Sequence, residues 1–283
     1  MVRSISVYIL LCTFFTGCKR SEPPVALPPF TGQPTIVVIN QAPEEISGLA
    51  DSKGTPGTIW AHEDSGTPAQ LIQLSHTGNV VRRIPIRNVM NRDWEDMASA
   101  GSDLYIGDIG DNALAASEYV IYKFAEPGAA VDTIRTVEAI RFRYPDGAHD
   151  AEALWVDPQT RDIYVITKRD AAARVYKITA PYAAGLQIAS LVGSLNYTTV
   201  TGAALSPDAK ELIVKTYGAL YHYKGNTVSM LLDALINNRY QQLNYVMEPQ
   251  GEAVCFAQNN SGFFTASEKG FGSDVKLYYY KRN

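Results

Sequence analysis

The chain has 283 residues, of which 46% are hydrophobic and 19% charged. This composition supplies a sizeable apolar core and excludes an intrinsically disordered chain. The formal net charge of −4 argues against non-specific nucleic-acid binding, because that binding needs a basic surface. Aromatic residues, including 17 Tyr, are more typical of strands than of helices.

Residues 1–17 have the features of a bacterial secretion signal. A positive residue, Arg3, precedes an apolar run from Ile5 to Phe15 that is too short to span a bilayer. The run ends in Phe14-Phe15-Thr16-Gly17-Cys18, which resembles the lipobox of bacterial lipoproteins and implies cleavage before Cys18 and lipidation of its sulfur. Lys19 stands where an inner-membrane retention signal would have Asp, so we expect an outer-membrane location in the cell envelope. The alternative is an ordinary signal peptide with an incidental cysteine.

Residues 18–34 form the next unit, the lipidated cysteine and a proline-rich stretch. Five prolines lie between residues 23 and 34, and they exclude a helix or a central strand. We interpret this stretch as an extended tether. Residues 35–283 are then the folded domain.

The folded domain contains a repeated unit. The first strand of successive units begins at positions separated by 48, 57, 49 and 51 residues, namely Ser47, Glu95, Glu152, Thr201 and Glu252. Each unit supplies three or four short strands, so the sequence predicts an all-β protein, a β-propeller with five blades. A six-bladed ring is the alternative, if residues 231–247 hide extra strands. A two-sheet sandwich would not explain the period.

The predicted elements follow in chain order. The β-branched segment Thr35–Ile39 has no partner in its own unit and is expected to complete the last blade, closing the ring. The strands of the five units are predicted at 46–50, 58–61, 69–74 and 80–86; 96–99, 104–107, 119–124 and 139–144; 153–156, 163–167, 173–178 and 188–195; 202–205, 211–215 and 219–223; and 253–256, 262–266 and 275–280. A helical turn or two is expected at 229–238, before an uncertain outer strand of the fourth blade.

The propeller topology predicts where the chemistry lies. The innermost strand of a blade starts at one end of the central channel, and the second strand returns to that end. Carboxylates therefore converge on one mouth, and Ca²⁺ is the cation that such oxygen ligands suit. Our first choice of ligands is Glu95, Glu152 and Glu252, followed by Asp93, Asp150 and Asp108. The alternative is that these acids are solvated or accept hydrogen bonds from backbone amides.

Other polar residues are expected at the same mouth. Glu45, Glu63, Lys168, Arg169 and Lys215 are candidates for contact with a small ligand. His149, beside an aspartate, is a candidate general base. The segment from Asp108 to Asn112 favours a capped turn over a local cation loop, since it lacks EF-hand spacing. No zinc pattern and no serine-nucleophile motif occurs in the sequence.

Several of these segments resemble a known family. Glu45-Ile46-Ser47-Gly48-Leu49-Ala50, Trp60-Ala61-His62-Glu63-Asp64 and Gly251-Glu252-Ala253-Val254 resemble the SdiA-regulated family of bacterial propellers. The stretches 93–96 and 105–112 resemble secreted bacterial propellers described as phytase-like or esterase-like. The resemblance implies the fold and Ca²⁺ at the mouth. The chain departs from the family's Glu-Gly pairs at Glu95-Asp96 and Glu152-Ala153.

Three hypotheses for function follow. The first is a lipid-anchored envelope protein, expected to be a monomer, that binds a cation, a small ligand or an envelope protein at its acidic mouth. The second is a Ca²⁺-dependent hydrolase of phosphoesters or lactones, with Glu95, Glu152 or His149 as the base. The third is a structural interaction module whose partner binds elsewhere on the ring.

Overall fold

Each of the five sequence units folds into one small sheet, and the five sheets form a closed ring. The computed structural model describes residues 28–270 and 274–283. Blade 1 contains β2 (Ile46–Asp51), β3 (Thr58–Glu63), β4 (Gln70–Ser75) and β5 (Val80–Pro85). Blade 2 contains β6 (Trp94–Ala100), β7 (Asp103–Asp108), β8 (Tyr119–Ala125), β9 (Glu138–Arg143) and the short β13 (Gln187–Ile188). The predicted five-bladed β-propeller is confirmed.

The other three blades follow the same plan. Blade 3 contains β10 (Ala151–Val156), β11 (Ile163–Thr167), β12 (Arg174–Ile178) and β14 (Ser190–Ser194). Blade 4 contains β15 (Val200–Leu205), β16 (Glu211–Thr216), β17 (Leu220–Lys224) and β18 (Gln241–Leu243), with helix α1 (Val228–Ile236) before the last strand. Blade 5 contains β19 (Gly251–Phe256), β20 (Gly262–Ser267), β21 (Lys276–Lys281) and β1 (Thr35–Val38).

The ring closes because a strand from each end of the folded domain pairs in the same sheet. The N-terminal strand β1 pairs antiparallel with β21, with Thr35 opposite Tyr279 and Val38 opposite Lys276. This pairing confirms the predicted closure and gives blade 5 its fourth strand. The six-bladed alternative is wrong, because residues 228–243 form α1 and one short strand of blade 4 rather than a further sheet.

One predicted strand is divided between two blades. Residues 188–195 were expected to form one strand of the third unit. Instead, β13 pairs in parallel with β9 of blade 2, and β14 pairs antiparallel with β12 of blade 3. The buried Ala189 lies between them, and its amide donates to the Arg143 carbonyl at 2.9 Å. The division depends on which neighbouring strand each half pairs with, and the sequence alone does not show that pairing.

The core consists of separate hydrophobic clusters between neighbouring blades. Successive side chains of a strand point to opposite faces of its sheet, so those of an inner strand contact the blades on either side. On β10, Leu154 and Val156 pack toward blade 2, whereas Ala153 and Trp155 pack toward blade 4. Both faces of each inner strand are therefore buried, and only the ends of these strands are left to form a site.

Some sequence-based expectations concern residues outside the described part of the chain. The signal at 1–17 and the lipidated Cys18 both lie there. Within the stretch interpreted as a tether, Phe30 is buried, and its ring contacts Phe263 at 4.9 Å between centroids and His222 at 5.4 Å. The packed body thus begins at least five residues before the expected boundary. No helix in the described ranges is long and apolar enough to cross a membrane.

Candidate functional site

A β-bulge occurs at the same point of every inner strand. In blade 1, Ile46 pairs with Glu63 and Gly48 pairs with His62, which leaves Ser47 without a partner on β3. The register shifts in the same way in the other four blades. A bulge re-aims the extra residue. The five bulged residues are the predicted strand-entry column, and all are buried: Ser47, Glu95, Glu152, Thr201 and Glu252.

The two hydroxyl residues of this ring connect neighbouring blades. The Ser47 hydroxyl donates to the Glu95 carbonyl at 2.5 Å, and the Thr201 hydroxyl donates to the Gly251 carbonyl at 3.2 Å. These bonds bridge blades 1 and 2 and blades 4 and 5. The remaining three bulge residues are glutamates, so each of blades 2, 3 and 5 contributes one carboxylate to the end of the channel. We call this end, with the acidic residues around it, the acidic mouth.

Five carboxylates of the acidic mouth form two overlapping groups. In one group, ligand oxygens of Asp64, Asp93 and Glu95 lie within 4.8 Å of one another. In the other, oxygens of Glu95, Asp150 and Glu152 meet the same limit. Glu95 belongs to both. The structure therefore brings together four of the six residues proposed as metal ligands, and it adds Asp64.

The electrostatics of these groups are unfavourable for full ionisation. Burial raises the pKa of Glu95 well above its usual range, and the neighbouring carboxylates of Glu152 and Asp64 raise it further. Burial likewise raises the pKa of Asp93 and Asp64. Like charges held together in a poorly solvated place disfavour their charged forms. A bound cation would offset the free-energy cost of keeping these carboxylates ionised.

Two basic side chains of the described residues lie in the mouth, and they compensate only part of its negative charge. Lys168 contacts Glu152 at 2.5 Å and Glu252 at 3.8 Å. Burial opposes the charge on Lys168, yet these two carboxylates raise its pKa overall. Arg169 pairs with Asp150. Glu95 has no basic partner among the described residues, so it is the least compensated carboxylate of the ring.

The second column of the mouth lies one residue later than predicted. The sequence places the last residue of each second strand in this column, at positions 63, 108, 167, 216 and 267, with Asp64, Lys168 and Glu268 among the residues expected beside it. Because each bulge shifts the register, the residues that approach the mouth are the next ones along the chain. In blades 1, 3, 4 and 5 these are Asp64, Lys168, Tyr217 and Glu268, whose interactions include Glu95, Glu152 or Glu252. Asp64 and Glu268 were expected beside the column but were not among the proposed ligands.

In blade 2 the residue after Asp108 is the buried Ile109, and Gly110 follows it beside the carboxylates. A Cβ atom on Gly110 would lie 2.1 Å from a Glu95 carboxylate oxygen and 2.5 Å from an Asp93 oxygen. The bare α-carbon therefore makes room for both carboxylates. Asp111 next to it accepts hydrogen bonds from the Ala115 and Ala116 amides. These bonds are those of a capped turn, the interpretation favoured for this segment.

The remaining proposed ligands of the mouth have other contacts. Asp108 accepts a hydrogen bond from the Asp93 amide at 2.9 Å and pairs with Arg92 at 3.4 Å, so it holds the loop rather than entering either carboxylate group. Glu252 accepts a hydrogen bond from the Tyr217 hydroxyl at 2.9 Å. Glu63 accepts one from the Glu44 amide at 3.0 Å.

Glu45, Lys215 and His149 occupy three different environments. Glu45 is exposed at the edge of the mouth. Lys215 is fully buried beneath it, where its ammonium contacts the Tyr245 hydroxyl at 2.5 Å and Glu248 at 3.3 Å. Burial lowers the pKa of Lys215, while Glu248 opposes that effect. Lys215 is thus placed to support the mouth from within the blade 4–5 interface.

His149 lies in an aromatic and acidic pocket beside the mouth. Its ring nitrogens contact Asp146 at 3.2 Å and Asp170 at 3.1 Å. The rings of Tyr144 and Tyr176 flank it, at centroid distances of 5.0 and 5.3 Å. Both nitrogens are engaged, which fits an orienting role for this residue. The proposed role as general base stays a prediction.

Sequence reasoning did not assign a role to Asp96, which is fully buried in the channel. Its carboxylate accepts hydrogen bonds from the amides of Met97, Leu154 and Ala203, at 2.8, 2.9 and 3.0 Å. These donors belong to three different blades. The corresponding residues of the other inner strands are small: Gly48, Ala153, Gly202 and Ala253. Asp96 is thus the single acid that ties blades 2, 3 and 4 together across the channel.

Comparison with known proteins finds no family and only a limited likeness to solved structures. No family model and no curated protein matches the sequence, so the resemblance to the SdiA-regulated family stays an expectation. Among solved structures, the chain is similar to one from a nidogen/laminin complex, with 11% identity, a TM-score of 0.47 and 82% coverage of each chain. It is also similar to Kuenenia stuttgartiensis hydrazine synthase, with 13% identity, a TM-score of 0.43 and coverage of 84% of this chain and 71% of that one.

A third similar structure is the Myceliophteria thermophila Cps50 (Swd1) beta-propeller domain. The identity is 10%, the TM-score 0.44, and the coverage 88% of this chain and 100% of that domain. A propeller is a rigid ring that presents loops around one channel, and this architecture suits a binding or interaction module.

Proposed function

We propose that the acidic mouth binds a divalent cation, with Ca²⁺ the best fit, and that the protein is a binding protein of the bacterial envelope. The observation that supports the proposal is the position of Glu95, whose carboxylate is shared by two groups with mutual oxygen distances within 4.8 Å. Oxygens on opposite sides of one Ca²⁺ are about 4.6–5.2 Å apart, from its 2.3–2.6 Å bonds. Oxygens within this limit are close enough to share one ion.

The donor set also favours a hard cation. Every candidate ligand is a carboxylate, and none of the grouped residues is a cysteine or histidine. Oxygen donors of this kind select Ca²⁺ or Mg²⁺ over zinc or copper. The raised pKa of Glu95 indicates free energy that a bound cation would recover. The lipid anchor and the outer-membrane location rest on the sequence of the first 19 residues and belong to the same proposal.

The test is thermal unfolding of the purified protein with EDTA and then with excess Ca²⁺. A ligand of the native state raises the midpoint by mass action. At about 100 times the dissociation constant the gain is about 2.7 kcal/mol, which corresponds to about 5–10 °C for a domain of this size. Elemental analysis of the protein before chelation supplies an independent readout.

Two substitutions locate the effect. Glu95→Gln removes charge from the shared ligand and should abolish most of the Ca²⁺-induced shift. Glu138→Gln, on an outer strand where the side chain pairs with Lys123, is the matched control and should leave the shift intact. If neither EDTA nor Ca²⁺ moves the midpoint and no metal is bound, the cation proposal is wrong and capture of an envelope partner becomes the function to test.

A Ca²⁺-dependent hydrolase of phosphoesters or lactones is the second candidate. It is favoured by Glu152, whose pKa is raised to about 8 by burial, an effect that Lys168 opposes. A carboxyl group that exchanges its proton near neutral pH can act as a general acid or base beside a cation. The test is turnover of p-nitrophenyl phosphate and of a simple lactone with and without Ca²⁺. Turnover that Glu152→Gln abolishes would support the hydrolase, and binding without turnover would support the first candidate.

A further inference from the structure

A groove of about 570 Å³ lies between blades 1 and 5, at the end of the ring opposite the acidic mouth. The inner strand β2 runs from the bulged Ser47 at the mouth to Asp51 at the other end, and Asp51 lines the groove. One wall is the turn between β2 and β3, and the other is the turn between β19 and β20. The volume is within the range of about 300–1,000 Å³ that is usual for small-molecule sites.

The exposed lining of this groove is mainly apolar. The ring of Phe264 contacts the rings of Tyr279 and His76, at centroid distances of 4.7 and 4.6 Å. Phe264 itself is buried, so the half-buried Tyr279 and His76 present the accessible ring surface, together with the exposed Pro56. Ring faces of this kind favour a flat aromatic body.

The charges of the lining favour a neutral ligand. Asp51 is the only acidic residue that lines the groove within the described ranges, and both of its carboxylate oxygens are engaged. One contacts His76 Nε2 at 2.7 Å, and the other accepts a hydrogen bond from the Gln258 amide at 2.8 Å. Lys53 balances the charge of Asp51, and its side chain is exposed to water.

The contact with Asp51 also sets the hydrogen-bonding pattern of His76. An ionised carboxylate only accepts hydrogen bonds, so Nε2 carries the proton, and in the neutral imidazole Nδ1 is then an acceptor. The His76 amide donates to the Gly57 carbonyl at 2.9 Å, which holds its turn against the opposite turn of the blade. The side chain is 32% exposed, and Nδ1 is open to solvent with no partner among the described residues. His76 therefore offers one oriented acceptor at the groove.

We propose that this groove is a second ligand site, for a neutral molecule with a flat aromatic body and one hydroxyl group. The body packs against Tyr279 and Pro56, and the hydroxyl donates to His76 Nδ1. Asp51 is a positioning residue, because it orients the imidazole without touching the ligand. The site does not rest on cation binding at the acidic mouth.

The experiment compares three probes on the full chain: 2-naphthol, 2-methoxynaphthalene, which has no hydroxyl donor, and 2-naphthoate, which is an anion. Titration calorimetry is carried out at pH 8, where a free histidine is neutral. It should show 2-naphthol bound about five-fold more tightly than 2-methoxynaphthalene, the usual contribution of one neutral hydrogen bond. Binding of 2-naphthoate should be no tighter than that of 2-methoxynaphthalene. EDTA and Glu95→Gln should leave 2-naphthol binding unchanged, which separates this site from the acidic mouth.

Substitutions decide whether the groove and its acceptor are responsible. His76→Phe keeps a ring against Phe264 and should remove the five-fold preference while 2-methoxynaphthalene binding persists. Thr35→Trp places a large ring in the groove from an exposed position of its lining and should abolish binding of both probes. Thr136→Trp, at an exposed position before β9, is the matched control and should preserve binding.

The proposal remains testable if His76→Phe does not fold, because Thr35 lies exposed on an outer strand and its variant leaves the His76–Asp51 contact in place. Absence of 2-naphthol binding to the wild type, equal affinity for 2-naphthol and 2-methoxynaphthalene, a hydroxyl preference that survives His76→Phe, or binding that survives Thr35→Trp would overturn the proposal.

Discussion

Replacement of Asp96 would test how the inner edges of the ring are stabilised. The inner strand of each blade has one edge toward the channel, where its amides have no neighbouring strand. Asp96 satisfies three of them, on Met97, Leu154 and Ala203, at 2.8–3.0 Å. We expect Asp96→Ala to leave three buried donors without an acceptor and to lower the free energy of unfolding.

The expected loss in the free energy of unfolding is the balance of two opposing contributions. An unsatisfied buried N–H costs about 1–3 kcal/mol, so three of them cost about 3–9 kcal/mol. Burial raises the pKa of Asp96 well above its usual range despite the three amides, which shows that the carboxylate itself carries a desolvation penalty that its removal would recover. We therefore expect a net loss near the lower limit, about 3 kcal/mol for Asp96→Ala. Asp96→Asn keeps one acceptor oxygen and should lose about 1–2 kcal/mol.

Urea unfolding at neutral pH measures both losses, with a check that the slope against urea is unchanged. Asp132→Ala is the control, because that side chain is 86% exposed and should change stability by less than about 0.5 kcal/mol. A loss below about 0.5 kcal/mol for Asp96→Ala would refute the reasoning, since it would mean that water replaces the carboxylate without cost.

Three further predictions concern pH, a buried ion pair and the mouth. Burial lowers the pKa of His62 to about 4, so as the pH falls the unfolded chain takes up a proton before the folded one does. The free energy of unfolding should therefore fall between pH 6.5 and 4 by about 3 kcal/mol more in the wild type than in His62→Leu. Urea unfolding across that pH range measures the difference. Glu248→Gln should lower the free energy of unfolding by about 3–5 kcal/mol, because it leaves the Lys215 ammonium buried without its partner. Adding Lys215→Met should recover most of that loss. A double variant no more stable than the single one would contradict this account. Gly110→Ala should weaken Ca²⁺ binding about ten-fold or more, as measured by calorimetry, since its Cβ would lie 2.1 Å from a carboxylate oxygen; Gly185→Ala, with open space around the new atom, should have no effect.

Parts of the fold could be read from the sequence because they are encoded locally. Alternating apolar residues and turn residues recur with a period near 50, and one unit of that length folds into one sheet. The N-terminal segment could be assigned to blade 5 because the last repeat lacked a strand and the first strand lacked a partner. The divided segment at 187–194 could not be foreseen, since its two halves differ only in which blade supplies the neighbouring strand.

The side chains of the mouth could also be predicted only in part. The entry column was predictable because its five residues occupy equivalent positions in the repeat. The exit column was displaced by one residue, because a bulge in every inner strand shifts the register of its partner. Asp64 was expected beside the exit column but was not proposed as a ligand, and Asp108 was proposed as one although it accepts a hydrogen bond from the Asp93 amide instead.

By itself, the sequence determined the all-β architecture, a repeat that favoured five blades over six, the closure of the ring and the residues at the entry of the inner strands. Only the tertiary structure decided which carboxylates share one space, that Glu95 belongs to two groups, and that Asp96 crosses the channel to the amides of two other blades. The physical reason is distance along the chain. A repeat encodes contacts within a blade. Distances between blades are fixed only when the ring closes, which brings Leu154 and Ala203 to Asp96 although they are 58 and 107 positions away from it.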